Sequence, residues 1–395
     1  MRTTLLRFQH ETELPAFLAK NKIPRASDKV LIQIFTGIVE QKFLANLQKI
    51  FAKLLPKAGL IGTTACSEIY KDKVLTKETV IAFTVFEQTH VRAELFPHQA
   101  KTSNNYSFLT GQKVARQLLK PQTKVLISFG DGLTTNGEEF LQGLQKISPQ
   151  TIIAGGLAGD DLKFKKTFVF TKNKLTSSGV VAAALDNPKL IANTFYTLNW
   201  QNIGKLLTIT KVKKNRISEI DHTPIIDIYR KYFGAEAVDE IANKIGIEFP
   251  LIFYRNGIKI ARAALKRNKN NSLSFSGNLQ AGEKVQFGYG NAAIILQNSI
   301  NFYKKIKKIP LESLFIYSCV ARKNILGQAV TQEIAPLNRL AKTSGFFTYG
   351  EFFHHQREAP QKQPKGFNEL LNETMTVLAL SETGLKNSSP SIISK

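Results

Sequence analysis

The chain has 395 residues, 43% apolar and 21% charged, an ordinary globular mixture long enough for two domains of about 100–200 residues each. Lys and Arg number 54 against 30 Asp and Glu, a formal charge of +24, but the basic runs 211–216, 261–271 and 302–310 fit no helix-turn-helix, zinc-finger or RNA-binding signature. Nucleic acid is therefore not an expected partner, and solvated lysine-rich faces are expected instead, with an acidic protein or anionic membrane surface as the alternative use of the charge.

The opening "MRTTLLRFQHETE" lacks the apolar core of a secretory signal, and no window holds the ~18 apolar residues needed to cross a bilayer. Cys66 and Cys319 are the only cysteines, too few for a disulfide scaffold and in no CxxC pair that suggests zinc. These features together point to the cytoplasm.

Residues 1–27 read as a lead-in. From there short apolar runs alternate with amphipathic stretches, the pattern of an α/β domain. "KVLIQIF" (29–35) reads as a buried strand and is followed by a helix to about Leu55, with apolar residues recurring every three or four positions. "GLIGTTA", "ETVIAFTVFE" and "VRAELF" read as strands, and "GQKVARQLLK" as a helix. "TKVLISFGDGL" is a strand entering a Gly turn. In the helix after it Thr135 is expected to cap, with Glu138 reaching back as in a capping box. "TIIAGGLAGDD", "TFVF", "GVVAAAL" and "LIANTFYTLNW" continue the strands, and "LLTITKVKKNRISEID" alternates like a hairpin around Lys214-Asn215.

A domain boundary is expected close to Ile203-Gly204, giving domains 28–203 and 204–382. In the second, "TPIIDIYRKYFG" and "AEAVDEIANKIG" read as helices ended by Gly. Strands on either side of Asn256-Gly257 follow, then two more in 273–290, a helix from Asn291 to about Lys307, the strand "SLFIYSCVAR", a helix around 327–342 and the strand "ETMTVLALSE". The polar tail 383–395 is expected to fray. The fold class is α/β: two mixed α/β domains, each with a mainly antiparallel or mixed sheet flanked by helices.

Several segments carry candidate chemistry. Gly155, Gly156 and Gly159 follow a strand, but their GGxxG spacing and the extended segment beyond them suit a tight turn better than a phosphate cradle. Asp131, Glu138 and Glu139 suit turn formation and helix capping better than carboxylate catalysis. Cys319 ends an apolar strand with Arg322 three residues on, which leaves three readings: a buried structural thiol, a thiol in a ligand pocket, or a nucleophile with a histidine base. No histidine spacing matches a metal-ligand set. His354 and His355 point to opposite faces if their segment is a strand, so one alone could ligate a haem iron.

Together "LIGTTACSEI" (60–69), "FGDGLTTNGEEFLQGL" (129–144), "IAGGLAGDD" (153–161), "NTFY" (193–196), "SCVARKNILG" (318–327), "GFFTYGEF" (345–352) and "NETMTVLAL" (372–380) resemble the F-box and intracellular signal transduction (FIST) sensory domains. The resemblance spans N- and C-terminal halves, roughly residues 28–382. It implies an intracellular input domain that binds a small ligand, with amino acids and related metabolites the usual proposal. Relatives join outputs such as histidine kinases or diguanylate cyclases, or an F-box, and some bind haem and respond to nitric oxide. The likeness draws attention to Cys319 and Arg322 on one segment and to Gly350 and Glu351 on the other. In "TTACSEI", Cys66 and Ser67 depart from the family's Gly before the Glu. With no output module after the FIST segments, either a separate partner or a chain cut before its output is implied.

The leading expectation is a ligand-binding sensory protein without catalytic activity or cofactor, acting through a signalling partner such as a histidine kinase or cyclic-nucleotide enzyme. A zwitterion would place its carboxylate on Arg322 and its ammonium on Glu351, with Phe347, Tyr349, Gly350 and Cys319 around it. The alternatives are a haem-based nitric oxide sensor using His354 or His355, and a thiol-dependent enzyme using Cys319.

Overall fold

The computed structural model describes residues 1–99, 105–241, 245–356 and 366–384. It bears out the mixed α/β class and adds an internal repetition that the amino-acid pattern does not display. The first repeat runs β1 (Arg2–Arg7), α1 (Leu14–Lys20), β2 (Val30–Thr36), α2 (Gln41–Leu54), β3 (Gly59–Thr64), β4 (Glu68–Tyr70), β5 (Lys73–Leu75) and β6 (Thr79–Val85). The second runs β7 (His90–Pro97), α3 (Tyr106–Leu118), β8 (Thr123–Gly130), α4 (Gly137–Ile147), β9 (Ile152–Leu157), β10 (Val169–Phe170), β11 (Leu175–Thr176) and β12 (Gly179–Asp186).

The third repeat opens with β13 (Ile191–Thr197) and is then interrupted by an inserted unit. That unit comprises β14 (Gln201–Lys213), β15 (Arg216–Ile220), β16 (Thr223–Pro224), α5 (Ile225–Phe233), α6 (Gly246–Glu248), β17 (Leu251–Arg255), β18 (Ile258–Arg262), β19 (Ala264–Arg267), β20 (Leu273–Phe275) and β21 (Lys284–Tyr289). The repeat resumes with α7 (Ala292–Ile306), β22 (Ser313–Cys319), α8 (Val320–Leu326), α9 (Val330–Asn338), β23 (Lys342–Thr348), β24 (Glu351–Gln356), β25 (Gly366–Leu371) and β26 (Met375–Ser381).

Each repeat has a parallel strand pair bridged by helix, β2 with β3, β8 with β9 and β22 with β23, as a parallel crossover requires. Each then sends its next strand into another repeat's sheet: β4 pairs with β23, β10 with β3, and β24 with β9. The last strand returns antiparallel to the first member of its own pair. The central strands are apolar on both faces because sheet and helices cover them. Between the sheets the rings of Phe35, Phe129 and Tyr317, one from each repeat, gather around Phe346 at 5.3–5.8 Å.

Register aligns corresponding positions. Gly37, Asp131 and Cys319 each donate a backbone N–H to the residue beginning, or just before, the returning strand: Glu78, Gly179 and Thr374 respectively. The residues immediately before those acceptors are Lys77, Ser178 and Glu373, of which Lys77 and Glu373 have positive φ.

The inserted unit has its own core, including Ile209, Tyr229, Phe253 and Phe287, joined by Phe353, Phe367 and Leu371 of the third repeat. Residues 203 and 204 lie within β14, and strands from both sides of that point share sheets, as β13 does with β26 and β24 with β9. Of the helix expected over 235–246, the described residues form a 3-10 turn, Glu236–Val238, π-helical positions at Ile241 and Ile245, and the start of the short α6. The strand expected to run through Arg322 stops at Cys319, where α8 begins. Residues 385–395 of the expected tail lie outside the described residues.

Candidate functional site

A cavity of about 360 Å³ opens where the second repeat, the third repeat and the inserted unit meet, within the size range of small-molecule sites. The turn after β8 supplies Leu133, Thr134, Thr135 and Asn136, and the end of β22 and start of α8 supply Cys319, Val320 and Ala321. The inserted unit covers these strand ends with Ile247, Ala263, Phe275, Ser276 and Asn278. Phe164 and Leu162 close another side, from a loop held by Asp160, which accepts the backbone N–H groups of Phe164, Lys165 and Lys166 at 2.7–2.9 Å. Phe164 stacks on Tyr349 with ring centroids 4.8 Å apart, and the Tyr349 hydroxyl donates to Asp160. Among the described residues no Lys, Arg or His side chain lines the cavity.

Most polar groups facing it already have protein partners. Asn372 accepts from Arg262 and donates to the Tyr349 carbonyl, and Ser276 accepts from the Ala263 N–H. Asn136 caps α4 by accepting from the Glu139 N–H, so the cap lies one residue beyond the expected Thr135. Thr135 instead donates to Asp131, because the carboxylate at the strand end draws the loop hydroxyls inward. The expected capping-box residue Glu138 turns to Arg262, Arg255 and the Asn278 N–H, tying α4 to the inserted unit.

Asp131 organises this wall. It accepts from the backbone N–H groups of Leu133, Thr134 and Gly179 and from the hydroxyls of Thr134 and Thr135. Thr135 also meets His98 Nε2 at 2.8 Å, so its hydroxyl is committed to the loop rather than to the cavity. Burial holds the His98 imidazole below its usual range, opposed by Asp131 at 3.8 Å.

The floor differs. Glu373 occupies the turn between β25 and β26 with φ 63°, lines the cavity, and is 1% exposed. Its Oε2 has no hydrogen-bond partner among the described residues. Loss of solvent and the neighbouring Glu351 raise its carboxyl well above the ordinary range, while Arg322 acts in the opposite direction. Glu351 is buried behind it, accepting the hydroxyls of Thr348 and Thr374 at 2.5 and 2.6 Å, and burial pushes its carboxyl up to about 8.

Of the expected site residues, Cys319 and Tyr349 line the cavity and Arg322, Phe347, Gly350 and Glu351 do not. Arg322 is fully buried and bound by Glu333 of α9, with its third contact to the Glu373 carbonyl and its guanidinium over Trp200. It therefore presents no donor to the cavity, and the expected carboxylate contact is replaced by an internal ion pair. Phe347 is core, exchanging backbone hydrogen bonds with Cys66 and Ser67. Gly350 lies so close to Asn372 and Leu370 that a Cβ would stand 3.1–3.2 Å from them.

Burial, then Glu351 and Glu373, raise the Cys319 thiol well above its usual range, the reverse of what a thiolate nucleophile needs. His354 bonds Asn368 through Nδ1, and a Cβ on Gly366 would stand 2.4 Å from its Nε2. That crowding leaves no axial position for haem iron on His354. His355 packs its ring against Phe367 and Phe353, and neither histidine lines the cavity. Gly155 (φ 129°) packs against the Ser128 carbonyl, as close backbone packing rather than phosphate binding requires.

Glu373, Asn278 and the Phe164 loop were not singled out by the sequence. The one available signal was "LLNETMTV", a short polar break between apolar strands, which marks a turn but not a buried acid.

Among known families, the FIST N domain matches residues 30–223 and the FIST C domain residues 226–354. No curated protein matches. Among solved structures, a cyanuric acid hydrolase from A. caulinodans is similar at 8% identity and TM-score 0.35, over 96% of this chain and 98% of that one. A chorismatase is similar at 8% identity and TM-score 0.30, over 89% and 93%. Likeness at these scores carries no functional argument.

Proposed function

From the premise that this chain belongs to the FIST family, we propose that it is a cytoplasmic sensory protein that binds a small ligand in the cavity between its second and third repeats. The ligand class is an amino acid or related metabolite, and the output passes through a separate signalling protein such as a histidine kinase or cyclic-nucleotide enzyme. The observation that carries the reading is a ligand-sized cavity whose floor holds a buried carboxyl group with an unpartnered oxygen. Buried polar groups are ordinarily paired, so an open one at the base of a cavity suits a molecule that arrives from outside. FIST domains are sensory domains of signalling proteins, and no described helix is long and apolar enough to cross a membrane.

Ligand binding is favoured over thiol catalysis because Cys319 is buried with its thiol raised. It is favoured over a haem centre because His354 is crowded and bonded elsewhere. The direct test is thermal unfolding against a panel of amino acids and metabolites. At least one should raise Tm by several degrees when present at about 100 times its Kd. Leu133→Trp, at the half-exposed rim, should remove that shift while leaving the ligand-free Tm nearly unchanged. Silence across the whole panel would sink the proposal.

A further inference from the structure

The cavity is surrounded by an unbalanced set of charges. Around its floor stand three buried carboxyl groups, Glu333 from α9, Glu351 from β24 and Glu373 from the turn before β26, and one guanidinium, Arg322 from α8. Arg322 is committed to Glu333 through Nε and Nη2, and its Nη1 bonds a backbone carbonyl. Glu351 receives two hydroxyl hydrogens, which oppose the upward push of burial on its carboxyl. Glu373 receives none at Oε2.

The other charged and titratable groups nearby are already engaged. Lys323 faces Asp161 and the Cys66 carbonyl. Arg262, behind Asn372, is held by Glu138, with Glu369 3.9 Å away. Tyr349 is bonded to Asp160, and Cys319 is a buried thiol. Among the described residues no protein cation remains to pair with Glu373, so its ionised form, which would need a partner when buried, has none within the protein.

Resting on the reading of this cavity as the ligand site, we infer that Glu373 reads a protonated amine, with Glu351 behind it adding to the negative field that the ligand's cationic nitrogen meets. The class is a small primary or secondary ammonium with an apolar body lying against Leu157, Phe164, Ile247 and Phe275. A ligand carboxylate is not required, because among the described residues the cavity wall offers it no cationic side chain.

The proton balance follows from the environment of the empty site. Burial and the neighbouring Glu351 raise the Glu373 carboxyl well above its ordinary range and so favour its protonated form in the empty site. When R–NH3⁺ binds, the Glu373 O–H bond breaks, its electrons remain on the carboxylate, and the proton passes to solvent. The ammonium then faces the carboxylate, and one proton is released for each ligand bound.

The test uses matched compounds on the whole chain. The amines 3-methylbutylamine and phenethylamine are compared with the carboxylates 4-methylpentanoate and 3-phenylpropanoate, with leucine and phenylalanine as compounds carrying both groups. Amines and amino acids should bind and the simple carboxylates should not, and Glu373→Gln should weaken the amines by about tenfold or more. On the unmodified protein, calorimetry in buffers of different ionisation heat at pH 7 should find about one proton released per amine, a readout that does not depend on how the variant folds.

Carboxylates binding as well as amines, amines binding equally to Glu373→Gln, or absence of proton release would each overturn the inference while leaving the cavity as a ligand site. Silence from all six compounds and from the wider panel would overturn the ligand-site reading together with it.

Discussion

Two carboxyl groups stand at different repeat positions beside one cavity, Asp131 behind the loop that forms its wall and Glu373 in its lining, and their surroundings differ sharply. Asp131, at the end of β8, accepts five hydrogen bonds and shapes the loop from Gly132 to Asn136. Glu373, in the turn that contacts the end of β22, has an oxygen that accepts none. An acid whose acceptor sites are filled by its own loop contributes to the fold, whereas one left open contributes little to the fold and is available to a ligand. On the proposed reading the two separate stability from binding beside a single cavity.

The strongest way to break that contrast is to remove Asp131. Asp131→Ala strands three backbone N–H groups and two hydroxyls, and should cost about 3 kcal/mol or more in denaturant unfolding. Glu373→Gln, which keeps the size of a side chain whose Oε2 has no partner among the described residues, should change stability by about 1 kcal/mol or less. Comparable losses from the two substitutions would show that Glu373 is structural as well.

A second, intermediate effect lies in the pH dependence. Glu68 and Glu351 are pushed up to about 8 and Glu369 to about 7, each chiefly by burial, and burial also raises Glu373 well above its ordinary range. Across the window between ordinary and raised values the folded chain binds more protons than the unfolded chain. Stability contributed by these groups is thus present below about pH 4.5 and is lost as pH rises through 7 to 8, by at most about 1.4 kcal/mol per pH unit for each group. Chemical unfolding from pH 5 to pH 9 should show this fall, and Glu373→Gln should flatten it. An unchanged slope in that variant would place the titration elsewhere.

The smallest effect concerns the thiols. Burial pushes Cys66 up to about 12 and raises Cys319 well above its usual range. Both should react with iodoacetamide at neutral pH only as fast as the chain opens, with rapid labelling after denaturation. Prompt labelling of folded Cys319 would restore the thiol-enzyme alternative.

Local features of the fold were legible in the sequence because strands buried on both faces are runs of apolar residues and turns have their own chemistry. "KVLIQIF" and "TKVLISF" each marked a core strand, and Asn256-Gly257 marked its hairpin. The repetition was hidden because its corresponding positions Gly37, Asp131 and Cys319 share a backbone role and no side-chain chemistry. The site was legible only in part. "SCVARKNILG" and "GFFTYGEF" do lie beside the cavity, but Arg322 finds Glu333 eleven residues later on α9 rather than a ligand. Glu138 has a similar history, since its position suited a local cap while its partners, Arg255 and Arg262, lie more than a hundred residues away. Sequence spacing gives local partners, and here the decisive partners are distant.

The cyclic exchange of β4, β10 and β24 has a mechanical consequence. Because every central sheet contains a strand contributed by another repeat, no repeat can detach with its sheet intact. Opening any one of them exposes strand edges in at least two sheets, so partial unfolding is penalised relative to loss of the whole assembly. A signal that began with a shift of the β25–β26 turn would therefore travel through shared hydrogen-bonded edges rather than across a hinge.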